Sequence, residues 1–135
     1  MTDSHPAADR AGRARQAGRT GIERRGESRR WADVVVHRGV ARWVEVADDP
    51  TLDVHGQIAQ VLAQIDATLT SLAADRTCLL QVLIFLTDLH DTATLNHLWD
   101  PWVIPGQAPV RAVLQAGLTG TLKVEMVVSA AVPEA

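Results

Sequence analysis

Two apolar stretches near the C-terminal end of this chain place one arginine and one glutamate among strand-forming apolar residues. Ala108-Pro109-Val110-Arg111-Ala112-Val113-Leu114 holds Arg111, and Leu122-Lys123-Val124-Glu125-Met126-Val127-Val128 holds Glu125. An uncompensated buried charge costs several kcal/mol. A charge inside an apolar strand is therefore paired, hydrogen-bonded or offered to a ligand. One reading is an ion pair between Arg111 and Glu125 across adjacent strands. The other is a site, because a guanidinium fork grips a carboxylate in two places. A glutamate beside it can take a proton from water and later return it, a role worth about 10² to 10⁴ in rate.

No other residue set offers chemistry as specific. His5, His37, His55, His90 and His97 lack the close spacing of a metal site, and Cys78 is the single cysteine. Neither a thiolate zinc cluster nor an intrachain disulfide can be built, so no metal and no cofactor is expected. Cys78 reads as a buried small residue rather than a nucleophile. Trp99 and Trp102 share a helical stripe with Leu95 and Leu98 and read as core or interface. There is no glycine-rich phosphate loop and no Gly-x-Ser-x-Gly elbow.

The elements that must position Arg111 and Glu125 follow from apolar periodicity. Trp31–His37 and Val40–Val46 are β-branched and aromatic runs separated by Arg38-Gly39, the spacing of an antiparallel hairpin. Ile58, Val61, Leu62, Ile65, Leu69 and Leu72 repeat at helical spacing and predict a long amphipathic helix starting near Asp53. Leu79–Leu86, apolar except for Gln81, predicts a central strand covered on both sides. Thr92–Val103 predicts a second helix, stopped by Pro105-Gly106. Val110–Ala116 and Leu122–Val132 predict the last two strands. The order ββαβαββ describes an α+β fold, a mixed sheet with two helices on one face.

The whole chain sets outer limits. Its 135 residues suit one domain, expected over residues 22–135. Residues 1–21, rich in Ala, Arg and Gly, predict a disordered extension. Residues 1–30 carry eight arginines against four acids, whereas residues 31–135 carry five basic residues against twelve acids. An acidic body argues against nucleic acid as a partner. No apolar run reaches the roughly 18 to 20 residues of a membrane span, and no apolar signal core is evident. A reducing, cytoplasmic setting is expected.

Four stretches taken in order resemble the RidA/YjgF/RutC family of enamine and imine deaminases, over about residues 22–133. They are Arg30-Trp31-Ala32-Asp33-Val34-Val35-Val36-His37; Gln60 to Leu69; Ile84 to Asp91 with Asn96; and Ala108-Pro109-Val110-Arg111 through Lys123-Val124-Glu125. The resemblance implies a chorismate-mutase-like α+β fold assembled as a homotrimer, with pockets at the subunit interfaces. It implies that Arg111 holds the carboxylate of a 2-imino acid and that Glu125 positions the water, releasing a 2-keto acid and ammonia. Asn96 and Trp31 then match pocket positions, although Asn96 also reads as a solvated helix residue and Trp31 as core. Glu45 stands where many deaminating members have a glycine, and the Thr119-Gly120-Thr121 turn is one residue short. Glu45 therefore reads either as a carboxylate in the pocket or as a residue turned to solvent or paired with Arg42. The sequence further resembles a divergent branch of the family. The functions it allows are an imine deaminase and a noncatalytic trimeric binder of small carboxylates, with an endoribonuclease, which the acidic body supports little, as a distant third.

Overall fold

The computed structural model describes residues 18–134, so most of the expected N-terminal extension lies outside the described residues. Within it, Gly18–Thr20 make one exposed 3-10 turn. Glu23–Arg25 then form a short strand, β1, which apolar periodicity does not announce because all three residues are charged. Pairing creates it. Glu23 and Arg25 lie opposite Val36 and Val34 of β2 (Val34–His37), and β1 becomes the edge of the sheet.

β2 turns into β3 (Val40–Val46) through Arg38 and Gly39, both at positive φ (51° and 75°), as a type I′ hairpin requires. Helix α1 (Val54–Ser71) starts where Asp53 caps it, the carboxylate accepting from the Gly56 N–H at 2.8 Å. Its apolar stripe, Ile58 to Leu69, is buried as the periodicity predicts. The polar Gln57, Gln64 and Thr68 are buried on the same helix. Gln57 satisfies itself by donating to the carbonyls of Pro50, Leu52 and Thr121 and accepting from the Lys123 N–H, which ties the last loop to the start of α1.

β4 (Leu79–Leu86), α2 (Thr92–Trp102), β5 (Val110–Gln115) and β6 (Val124–Ala131) complete one six-stranded sheet in the order β1-β2-β3-β6-β4-β5. Only β4 and β5 run parallel. α1 and α2 pack on each other and on one face, over Ala41, Trp43, Val82, Ile84, Val124, Met126 and Val128. The fold is α+β, as the element order implies.

The expectation that β4 is covered on both sides is corrected. Val82, Ile84 and Leu86 are fully buried under the helices, but Leu83 and Phe85 point to the other face and stay partly exposed. On the neighbouring β5, Val110 and Leu114 are 68% and 44% exposed. One face of the sheet therefore presents an apolar strip to its surroundings.

Candidate functional site

Register decides which face each candidate side chain uses, because residues directly opposite one another in paired strands point the same way. Arg111 lies opposite Val82, whose side chain is in the core beneath the helices. The Arg111 side chain thus enters the helix side at the β5 edge, where its guanidinium carbon sits 5.2 Å from the centre of the Trp99 ring. No carboxylate neutralises it among the described residues, and its Nη1 is buried without a hydrogen-bond partner.

Asn96 stands one helical turn before Trp99 on α2, so the two share a face. Its Oδ1 is also buried without a partner. Among the described residues, Asn96 Oδ1 and Arg111 Nη1 are the two buried side-chain polar atoms left unsatisfied. Each such atom costs about 1 to 3 kcal/mol, more when charged. One is a charged donor over the Trp99 indole, and the other is a neutral acceptor one helical turn before Trp99 on α2. A guanidinium can take an anionic group, and an amide oxygen can take an N–H or O–H.

Glu125 does not join them in one chain. It lies opposite Phe85 and Val46 and points to the apolar face away from the helices. β4 separates β6 from β5, and Glu125 sits three residues further along than Arg111, which puts their Cα atoms roughly 14 Å apart on opposite faces. The reading in which Arg111 and Glu125 bridge each other across adjacent strands is therefore corrected. Trp31, just before β2, is four strand spacings from β5, roughly 19 Å.

Glu45 is placed differently from either expectation. It lies opposite Met126 on the helix face and is fully buried. Its carboxylate accepts from Trp43 Nε1 at 3.0 Å, Gln64 Nε2 at 2.9 Å and the Thr68 hydroxyl at 2.9 Å. It reaches neither solvent nor Arg42, which points to the other face. A buried carboxylate persists only with such donors.

Trp99 and Trp102 are buried core residues, their ring centres 5.3 Å apart. Cys78 is half-exposed in the 3-10 turn Arg76–Cys78 rather than buried, its thiol 3.8 Å from Asp75 Oδ1. Sequence reasoning passed over Asp66 and Arg76. Arg76 grips Asp66 at two points, 2.7 and 2.8 Å, and this carboxylate holds the Arg76 guanidinium above its ordinary pKa. Asp66 and Arg76 are ten residues apart, and nothing in that spacing signals contact. No group of three or more His, Cys, Asp or Glu is placed to hold a metal among the described residues.

A cleft of about 460 Å³ opens near β1, β2 and the C-terminal end, lined by Glu23, Arg25, Arg38 and Glu134 among others. It is at the opposite edge of the sheet from Arg111.

The family model described as endoribonuclease L-PSP matches residues 40–132, which include Asn96, Arg111 and Glu125. The RutC family protein YoaB of Escherichia coli is 42% identical over 104 residues, 76% of this chain and 91% of its own length. The chain belongs to the RidA/YjgF/RutC family. Solved structures agree with this membership. A Pseudomonas aeruginosa protein superposes with a TM-score of 0.79 at 39% identity, covering 83% of this chain and 99% of that one. A YjgF family member from Neisseria meningitidis gives 0.78 at 31% identity, covering 86% and 98%. Within the RidA/YjgF/RutC frame, Arg111 lies on β5, an edge strand of the sheet. No helix of the described residues is long and apolar enough to cross a membrane.

Proposed function

We propose that this chain is an enamine/imine deaminase that hydrolyses 2-imino acids to 2-keto acids and ammonia. The observation carrying the proposal is the two unsatisfied buried side-chain atoms, Arg111 Nη1 beside the Trp99 indole and Asn96 Oδ1 one turn before Trp99 on α2. A 2-imino acid supplies what both atoms lack. Its carboxylate takes the guanidinium fork, and its nitrogen offers an N–H to the amide oxygen. The 2-keto acid product keeps the carboxylate but has no N–H, so it is held less well and leaves.

The reaction asks little of the protein beyond positioning. Water adds to the C2 carbon of the imine and gives a carbinolamine. Glu125 takes the proton from the attacking water and passes it to nitrogen. The hydroxyl proton of the carbinolamine then passes by way of Glu125 to the nitrogen, the C–N bond breaks with its electrons going to nitrogen, and ammonia departs as the carbonyl forms.

Because Arg111 and Glu125 use opposite faces, this reading takes the site to be shared between copies of the chain. Glu125 comes from one copy and Arg111 from its neighbour, with Trp31 of one copy walling the pocket, as the family's homotrimer implies. The exposed apolar strip of Leu83, Phe85, Val110 and Leu114 supports that assembly, since Glu125 lies on the same face. Covering the strip places the carboxylate at an interface.

Glu45 was the reason to consider a noncatalytic carboxylate binder, and its confinement beneath α1 removes that reason. The acidic body gives no support to an RNA substrate. The test is ammonia release from freshly generated 2-iminopropanoate. Arg111→Ala and Glu125→Gln are expected to lose most of the rate above the uncatalysed reaction. Unchanged rates in Arg111→Ala overturn the assignment.

A further inference from the structure

Arg111 lies at the end of a ladder of four side chains. Arg76 stacks over the Trp102 ring at 5.2 Å, Trp102 meets Trp99 at 5.3 Å with a tilt of 47°, and Arg111 stacks over Trp99 at 5.2 Å. Asp66 on α1 anchors the far end. One of its oxygens accepts from Arg76 Nη2 at 2.8 Å and from Trp102 Nε1 at 3.2 Å, while the other accepts from Arg76 Nε at 2.7 Å. Arg76 spends its remaining nitrogen on the Trp102 carbonyl at 2.9 Å, closing the last turn of α2 just after Pro101.

This anchoring fixes two things that stacking alone leaves loose. The bond from Trp102 Nε1 sets the rotation of that indole, and packing transmits the rotation to Trp99. The Arg76 contact with the Trp102 carbonyl sets where α2 ends and so where Asn96 and Trp99 stand along the sheet. Rings in contact with a tilt have a preferred arrangement, so turning one displaces the other. A guanidinium is attracted to the face of an indole by the ring quadrupole, which favours one orientation of a long side chain over others.

We propose that Asp66 and Arg76 are a remote positioning pair, which holds the Trp102–Trp99 stack in the plane that aims the Arg111 guanidinium at the substrate carboxylate. The inference rests on Arg111 being the carboxylate site argued above. Neither Asp66 nor Arg76 touches substrate. Their influence runs through two indoles, and it bears on the binding of the carboxylate more than on the attack of water.

The test uses the full chain with Asp66→Ala, together with Trp102→Phe, which keeps an aromatic ring but removes the Nε1–H. Two readouts are needed. One is the Arg111 Nε–H resonance, which the Trp99 ring current is expected to shift upfield in the wild type. The other is pyruvate affinity by calorimetry alongside KM and kcat for 2-iminopropanoate. In both variants the resonance is expected to move downfield and KM to rise about five- to tenfold, with kcat changing less than about twofold. A resonance that stays in place, or unchanged pyruvate affinity while Arg111→Ala abolishes it, overturns the positioning role. If Arg111→Ala itself leaves pyruvate binding intact, the site assignment falls and the inference resting on it falls as well. Asp66→Asn guards against a folding artefact, because it keeps an acceptor for Trp102 while removing the charge, and its effect is expected to be intermediate.

Discussion

Asn96 and Arg111 leave a buried acceptor and a buried donor unmatched, which costs stability that a ligand satisfying them would restore, as the proposed function requires. Asn96→Leu keeps the number and branching of the side-chain heavy atoms and has no orphan oxygen. It is expected to raise the melting temperature while lowering kcat/KM for a 2-imino acid, by about 1 kcal/mol in each measure. Thermal unfolding and steady-state kinetics on one preparation decide it, and a stabilised variant with full activity removes Asn96 from the site. Glu45 behaves in the opposite sense. Its three donors are all buried or nearly so, and Glu45→Gly, which installs the residue usual in deaminating relatives, strands them. The expected loss is about 3 kcal/mol or more of unfolding free energy, with KM for the folded protein unchanged. A change in KM without loss of stability would return Glu45 to the pocket.

The elements show where pattern is sufficient and where it is not. α1 was legible because six apolar residues repeat at helical spacing and Asp53 supplies the cap, both local properties of the chain. β1 was not, because three charged residues become a strand only when Val34–Val36 offer them an edge. β4 was legible as a strand but not for its environment: an apolar run looks the same whether helices or a second subunit cover its other face. The end of α1 holds a residue in an unfavourable conformation. Ala73 follows the helix at φ 56° while the Ala74 N–H closes back on the Leu69 carbonyl at 2.9 Å, the arrangement in which glycine is preferred. Ala73→Gly is expected to stabilise the fold by about 0.5 to 1 kcal/mol, the relief of the left-handed backbone exceeding the added entropy of the unfolded chain. Denaturant unfolding measures it, and an unchanged or lowered midpoint refutes the account of this helix end.

At the scale of the whole molecule, the two parts of the proposed machinery lie on opposite faces of one sheet, and this has a direct consequence for mixed assemblies. Arg111→Ala and Glu125→Gln are each expected to be inactive alone. Co-refolded in equal amounts, they pair an intact Arg111 with an intact Glu125 of the neighbouring copy in about a quarter of random sites. Activity is therefore expected to return to about that fraction of wild type. A mixture as inactive as its components places both residues of a working site in one chain, and the shared-site reading fails.

The chain's local chemistry and periodicity were enough to single out Arg111 and Glu125 and to order the strands and helices after β1, and its motifs, which also pointed to Asn96, were enough to mark the family. These depend on residue type and short spacing, which act within a few residues of sequence. Only the folded sheet decided that Arg111 turns toward Trp99 while Glu125 turns away, that Glu45 is sealed under α1 by Gln64 and Thr68, and that Asp66 reaches Arg76 and Trp102. A strand's side chains alternate with a period of two, so a shift of one residue in register reverses every assignment. Register is set by partners tens of residues away, and their positions are a property of the packed molecule rather than of any stretch of its chain.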